Sequence, residues 1–455
     1  MRYLAIDIGA SSGRHIVAEM KDGKLALEEI YRFPNGPEQT ADGLVWDAEG
    51  LFAHITEGLR RAGELGKKPD CIGIDTWAVD YVLLDKAGKV IGPAYCYRNE
   101  RGGRAAVKLH EIMPFASLYG KTGIQYQPFN TVYQLYADKL SGRLDGADAM
   151  IMLPDWFHYR LTGRRLQEYT NATSTGMVNA ATGDWDEDIL AAAGVDRSLL
   201  GDIVMPGSEV GRLTAEMAER VGYDAAVMLP ATHDTASAVL AAPLEGESPY
   251  ISSGTWSLLG IEQTSAHTDP RSMAGNWSNE GSINGMFRYQ KNIMGLWIVQ
   301  QVRHELGDVY SFAQLAAMAA AHPTDKRVRV NDEKFLAPES MLDAIFAEAG
   351  NMAVGETAYC VFASLADCYA ESVRELESLT GRSYGTLNII GGGGNNRLLT
   401  ALTAKATGKR IIVGPAEGTA TGNILMQMTG TGELPDLKAA RAVVKNSFDI
   451  TEVRA

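Results

Sequence analysis

No pair among the chain's four cysteines has Cys-x-x-Cys spacing, so neither a thiolate zinc knuckle nor a thioredoxin-like redox pair is indicated. Cys360 and Cys368 fall in one predicted helix. Eight residues at the helical rise set them about 12 Å apart, beyond disulfide reach. Positive charge is scarce: 42 Lys and Arg against 56 Asp and Glu give a formal net charge of −14. No long basic run exists to follow a nucleic-acid backbone, which argues against a nucleic-acid partner. Long apolar runs are also missing, each being interrupted within about a dozen residues, too few to span a bilayer. Asp7 breaks the N-terminal run where a signal peptide stays apolar, so a soluble cytoplasmic protein is expected. His-Glu-x-x-His and the Walker loop are absent, which removes the common metalloprotease and P-loop readings. The length of 455 residues suffices for two or three domains, each with its own core.

What is present is a repeated order of elements. The run Tyr3-Leu4-Ala5-Ile6-Asp7-Ile8 leads through Gly9-Ala10-Ser11-Ser12-Gly13-Arg14 into His15-Ile16-Val17-Ala18. Asp22-Gly23 then turns the chain toward Leu25, which makes a β-meander. Leu51, Phe52, Ile55 and Leu59 keep helical spacing, with Asp47 placed as an N-cap. One strand is expected from Ile74 to Val82, others over 149–153 and 226–230, and helices over 156–161 and 235–242. The second half repeats that order. A hairpin pivots on Ser252-Ser253-Gly254, followed by a long helix over 357–379 and a strand over 387–390. Then come a loop at Gly391 to Gly394, a helix over 396–406, a strand over 410–413 and a helix over 420–428. The fold class expected is therefore α/β, an internally duplicated β-meander followed by alternating α and β. Pro243, Gly246 and Pro249 mark the hinge, giving expected domains of residues 1–243 and 244–455.

Ser-Ser-Gly occurs twice, at Ser11 to Gly13 and at Ser252 to Gly254. Small-residue turns between strands expose backbone N–H groups in a concavity suited to phosphate. Asp7, at the end of its strand, is placed where Mg²⁺ held largely through water needs a carboxylate; a solvated hairpin Asp is the plainer alternative. Thr232-His233-Asp234-Thr235 follows a buried strand and opens a helix, at the sheet edge where α/β ligands bind. Asp234 there can accept a proton from a hydroxyl while the helix N-terminus keeps it ionised, or Asp234 or Thr232 can simply cap the helix. The four glycines from Gly391 allow backbone to lie against a nucleobase and ribose, or make an ordinary tight loop. Asn292 and Gln300, eight positions apart on one expected amphipathic helix, face one side of it. Period two on the strand 74–82 groups Thr76, Ala78 and Asp80 on one face, with Trp77 opposite, a mixture found in sugar sites and in half-buried strands alike.

Five ordered segments resemble the FGGY carbohydrate kinases: Asp7-Ile8-Gly9-Ala10-Ser11-Ser12-Gly13-Arg14, Asp75-Thr76-Trp77-Ala78-Val79-Asp80, His233-Asp234-Thr235-Ala236-Ser237-Ala238, Ser253-Gly254-Thr255-Trp256-Ser257 and Asn292-Ile293-Met294-Gly295-Leu296-Trp297. Asp155-Trp156-Phe157, Arg160-Leu161-Thr162-Gly163 and Asn171-Ala172-Thr173-Ser174 extend the similarity over the whole chain. The resemblance implies two actin-like or ribonuclease-H-like domains around a central cleft. It implies transfer of the γ-phosphoryl of Mg-ATP to a sugar hydroxyl, the partners being a small sugar and ATP, in a monomer or small homo-oligomer. By resemblance Ala10, Ser11, Ser12, Gly13, Arg14, Thr255, Gln300 and Gly392 contact ATP. Ala78, His233, Asp234, Thr235 and Asn292 contact sugar, Asp234 is the base and Asp7 holds Mg²⁺. Two departures stand out. Ala78 replaces a glycine frequent at that place, narrowing the pocket or altering its preference among ketoses. Phe129-Asn130-Thr131-Val132-Tyr133-Gln134-Leu135 lacks the Lys and Trp of the broader signature. A non-kinase actin-like ATPase and a dinucleotide oxidoreductase are the readings from other classes; the first glycine loop runs into a strand, which disfavours the latter.

Overall fold

A computed structural model describes residues 1–454 and divides the chain into two compact units. Unit 1 comprises Met1–Ala241, Glu262–Tyr289 and Thr419–Ser447; unit 2 comprises Ala242–Ile261, Gln290–Gly418 and Phe448–Ala455. The first break falls two residues before the 243/244 boundary expected from the sequence, and segments from the second half of the chain also belong to unit 1. Among the described residues no helix is long and apolar enough to cross a membrane.

Unit 1 is built on strands β1 (Arg2–Ile8), β2 (Ser12–Lys21), β3 (Lys24–Pro34), β4 (Cys71–Thr76), β5 (Glu209–Arg212) and β6 (Ala226–Met228), in the order β5-β6-β4-β1-β2-β3. The meander β1-β2-β3 is antiparallel, whereas β4 runs parallel to β1 and to β6. Asp22 and Gly23 both take positive φ, 51° and 75°, as a two-residue hairpin between right-twisted strands requires. The helix Ala48–Glu64 is capped by Asp47, which accepts the Gly50 N–H. Its Leu51, Phe52, Ile55 and Leu59 pack on Leu4, Ile6, Ile72 and Ile74 of the sheet. A second core of the same unit gathers Leu83, Leu109, Leu135, Met150 and Ile189.

Unit 2 repeats the pairing. Its strands include β7 (Tyr250–Ser253), β8 (Ser257–Gln263), β9 (Thr386–Ile390), β10 (Arg410–Val413) and β11 (Thr451–Val453). β7 is antiparallel to β8 and parallel to β9, β9 is parallel to β10, and β10 is antiparallel to β11. Strand for strand this matches β1 with β2, β4, β6 and β5, so the duplication is one of topology. The two Ser-Ser-Gly strings are not its equivalent parts. Ile8 faces Gly13 across the first turn and Ser253 faces Ser257 across the second. Gly9 and Gly254 therefore occupy matching places, while Ser11-Ser12-Gly13 enters a strand and Ser252-Ser253-Gly254 leaves one.

Two expectations are corrected. The run 74–82 is not one strand: β4 ends at Thr76, and a second strand, Tyr81–Leu84, begins after a bend. Val79 sits in the bend at φ 71°, unusual for a β-branched residue, and its carbonyl accepts the Thr131 hydroxyl at 2.7 Å. Asn292 lies on the strand Phe287–Ile293, not on the helix with Gln300, which spans Trp297–Glu305. Gly295 at φ 58° breaks the path between them.

Helix Leu153–Thr162 braces β4 through His158, whose Nε2 accepts the Ile74 N–H at 3.1 Å. Burial pushes the imidazole down to about 3, so the native ring stays neutral where an unfolded one protonates. Stability from this residue is present above the ordinary histidine value and lost on acidification. From pH 7 to pH 5 the loss is about 2 kcal/mol. Urea unfolding of His158→Gln should show a pH dependence shallower than that of the unsubstituted chain by this amount; equal slopes would contradict it.

Candidate active site

Asp234 opens the helix Asp234–Leu240, directly after Thr232 and His233. The capping alternative fails for Thr232, because its hydroxyl and its N–H are both committed to Glu168 Oε2, at 2.6 and 3.1 Å. His233 is the cap residue and makes no side-chain cap bond. Asp234 Oδ1 accepts the Thr235 N–H at 2.6 Å and the Thr235 hydroxyl at 3.3 Å, and its side chain remains 31 % exposed. It sits in a recess: loss of hydration raises its pKa, the neighbouring His233 opposes the rise, and the charge of Asp7 adds to it. A raised carboxylate suits proton abstraction near neutral pH better than a depressed one.

Asp7 and Asp75 are register partners on the parallel pair β1 and β4, and Thr76 bridges to His233. One sheet edge thus brings together Asp7, Asp75 and Asp234. Asp75 is fully buried, its pKa held well above the ordinary range by burial and then by the Asp7 charge. Its Oδ2 accepts Asn423 Nδ2 at 2.5 Å while Oδ1 has no partner. Arg14 grips Asp7 Oδ2 with Nε and Nη2, at 3.0 and 2.9 Å. In the turn beside it, Asn35 takes the carbonyls of Gly9 and Ser11, at 2.8 and 3.1 Å. The carbonyls of Gly9 and Ser11 are thereby occupied, which suits the amides of the Ala10–Gly13 loop to an anion. Among the described residues no group of three or more His, Cys, Asp or Glu is set to hold a metal alone. Carboxylates that burden one another do fit a hard cation completed by water and phosphate oxygens.

Ala78 lies in the bend after β4, partly buried against the first core. Trp77 is no open platform: it is buried, with its ring centroid 4.2 Å from that of Trp46. Asp80, expected on the face of Ala78, is instead the hub of this bend. It accepts both indole N–H groups, the Tyr97 N–H and Gln134 Nε2, at 2.6 to 3.1 Å. Burial raises Asp80 to about 6 despite these donors. Gln134 belongs to the segment that lacks the broader signature, so that segment here buttresses the bend.

In unit 2 the turn after Ser253 is docked on the start of helix Trp297–Glu305. Leu296 N–H donates to Gly254 O and Trp297 N–H to Thr255 O, both at 3.0 Å. Any side chain at Gly295 would strike Thr255 O at 2.5 Å. Thr255 and Gln300 are thereby tied to one helix end. On the other side of Ser253, Gly391 and Gly393 pack so closely that a Cβ on either would collide with Ser253. Gly392 differs, since a Cβ there meets nothing within 4 Å. Asn292 Oδ1 is buried without a partner.

Several residues of the first site escaped the sequence reading. Glu168 accepts five hydrogen bonds and donates its own N–H to Asp155. Glu280 and Arg288 flank His233. The available signal was charge inside apolar surroundings: Glu168 before Tyr169, Asp155 before Trp156, and Arg288 between Phe287 and Tyr289.

Residues 2–241 match the N-terminal domain of the FGGY family of carbohydrate kinases, and residues 249–431 match its C-terminal domain. The rhamnulokinase of Halalkalibacterium halodurans is 43 % identical over 459 residues, covering 99 % of this chain and 98 % of that protein. The rhamnulokinase of Bacillus subtilis is 42 % identical over 459 residues, covering 99 % and 94 %. Among solved structures, ligand-bound xylulose kinase from Lactobacillus acidophilus gives a TM-score of 0.82 at 15 % identity, over 99 % of this chain and 93 % of that one. Plasmodium falciparum glycerol kinase with ADP gives 0.76 at 14 %, over 99 % and 93 %. The fold is accordingly a pair of α/β domains of the actin-like, ribonuclease-H-like kind.

Proposed function

The chain belongs to the FGGY family of carbohydrate kinases, and from that premise we propose that it transfers the γ-phosphoryl of ATP to the 1-hydroxyl of L-rhamnulose. The products are L-rhamnulose 1-phosphate and ADP. The observation that carries the choice of sugar is whole-length identity of 43 % and 42 % to proteins named rhamnulokinase, against 15 % to a xylulose kinase.

The chemistry follows from the residues of each unit. The sugar oxygen attacks the γ-phosphorus, the bond from that phosphorus to the bridging oxygen breaks, and the hydroxyl proton passes to Asp234. Phosphoryl transfer has a loose transition state, so positioning and charge stabilisation supply most of the rate. Thr235, His233, Asn292 and the Ala78 bend are the sugar-side groups in this reading. Ala10 to Arg14, Thr255, Gln300 and Gly392 are the nucleotide-side groups. Asp7 would hold Mg²⁺, which when bound neutralises phosphate charge. An acidic chain is no obstacle to this, because a neutral sugar needs hydroxyl partners rather than a basic pocket.

Coupled assay of ADP release over L-rhamnulose, L-fuculose and D-xylulose, with mass identification of the product, tests the proposal. L-rhamnulose should be the preferred acceptor. Preference for either other ketose would replace it and would point to the Ala78 methyl, and ATP hydrolysis independent of sugar would remove the kinase mechanism.

The glycine loop gives a separate test. Gly392→Val places its side chain in open space and should leave stability unchanged while raising KM for ATP about tenfold, or about 1.4 kcal/mol. Gly393→Ala should instead destabilise unit 2 by about 1 to 3 kcal/mol, because the new Cβ meets Ser253. Unaltered nucleotide affinity in Gly392→Val would remove Gly392 from the site.

A further inference from the structure

Arg288 is fully buried, and two of its three donor nitrogens, Nε and Nη2, have partners while Nη1 has none. Nε donates to Gly281 O at 3.1 Å, and Nη2 lies 3.1 Å from Glu280 Oε2 and 3.0 Å from His233 Nδ1. Glu280 Oε2 is itself 3.2 Å from His233 Nδ1. All of these residues lie within unit 1. The backbone of His233 is pinned as well, its N–H donating to Thr170 Oγ1 at 3.2 Å. His233 Nε2, the other ring nitrogen, stands 3.5 Å from Asp234 Oδ1.

We propose that Glu280 and Arg288 are a positioning pair that holds His233 in one tautomer, lone pair on Nδ1 and proton on Nε2. His233 is then a hydrogen-bond donor toward Asp234 and the sugar, and Asp234 is left as the sole proton acceptor.

The argument is one of donor and acceptor capacity. A guanidinium has five N–H donors and no lone pair to offer, so a ring nitrogen at 3.0 Å from Nη2 must accept. Glu280 alone would select the opposite arrangement, with Nδ1–H donating to its carboxylate. Arg288 prevents that by occupying the same Oε2 and by presenting its own hydrogen to Nδ1. Glu280 in turn neutralises a guanidinium that has no exposed surface, without which the cation would be costly to bury. The consequence falls on the far side of the ring. A proton fixed on Nε2 gives Asp234 a donor and removes a second base from the site.

The inference rests on the reading of Asp234 as base. Long-range proton–nitrogen NMR of histidine-labelled protein reads the tautomer directly, with His233→Gln identifying the resonance to assign. At neutral pH the resting protein should show Nδ1 unprotonated and Nε2 protonated. Arg288→Met should move the pattern to Nδ1–H or to the doubly protonated ring. It should also lower kcat about 10- to 100-fold and raise KM for sugar, with KM for ATP unchanged. Arg288→Lys, which keeps a buried donor, should recover most of kcat.

An Nδ1–H tautomer in the resting protein overturns the proposal, and needs no variant to be observed. So does an unchanged tautomer in a folded Arg288→Met protein. Persistent activity of Asp234→Asn alongside the expected tautomer would refute the base instead, leaving the pair's hold on His233 intact.

Discussion

Asp234→Asn is expected to bind sugar as the unsubstituted enzyme does and to turn over about two to four orders of magnitude more slowly, the range for loss of a positioned general base. The amide is nearly isosteric, and its oxygen can still accept the Thr235 N–H now made to Oδ1 at 2.6 Å. It cannot take the hydroxyl proton. Removing a negative charge from the edge that carries Asp7 and Asp75 also relieves the repulsion that raises Asp234 and Asp75. Folding should therefore be unaffected or slightly improved, which separates lost chemistry from lost structure. Calorimetric titration with ketose and a parallel turnover measurement decide it; turnover within a few-fold of the unsubstituted enzyme would remove Asp234 from the role.

Glu168→Ala should show the second large effect, this time on folding and rate together. The carboxylate accepts the Thr170, Asn171 and Thr232 N–H groups and the Thr170 and Thr232 hydroxyls, all buried. Burial raises its pKa and these donors oppose the rise. Truncation strands five donors. At about 1 to 3 kcal/mol for a buried unsatisfied group, and allowing for relaxation, the loss is about 3 to 5 kcal/mol. Thr232 directly precedes His233 and Asp234, so turnover should also fall about tenfold or more as the base shifts. Glu168→Gln keeps four of the five bonds if its oxygen takes the Oε2 place, and should lose only about 1 to 2 kcal/mol. Urea unfolding and kcat measured on both variants check this; normal stability in Glu168→Ala would show that the network does not hold the site.

Turns and caps were legible where local sequence sets local geometry. Asp22-Gly23 makes its turn because both residues tolerate positive φ, and Asp47 caps its helix because a short carboxylate reaches the N–H three residues on. Asp234 stands out as a candidate because it follows an apolar strand and begins a helix. The residues around it could not. Glu168 lies 64 positions from Thr232, and Arg288 lies 55 from His233. No period or spacing links such pairs. The strand assumed through Trp77, Ala78 and Asp80 was misread for the opposite reason: its β-branched and aromatic residues fit extended backbone locally. The Trp46 indole and Gln134, brought in from elsewhere, join the Trp77 indole of the run itself in bending it around Asp80.

By itself the sequence determined the alternation of elements, the duplicated order and the net negative charge, and it singled out Asp234 and the Gly391 loop as candidates, since each depends on residue type, side-chain period or one turn. The tertiary structure alone decided three further matters. The duplication lies in strand pairing, with Gly9 matching Gly254, and the repeated Ser-Ser-Gly string is out of register with it. The pKa of Asp234 is raised, because burial and the charge of Asp7 act through space. Gly392, of four adjacent glycines, faces open space while Gly391 and Gly393 are consumed by packing on Ser253. In each case the physical reason is the same: burial, charge and steric contact depend on which distant segments the fold brings together.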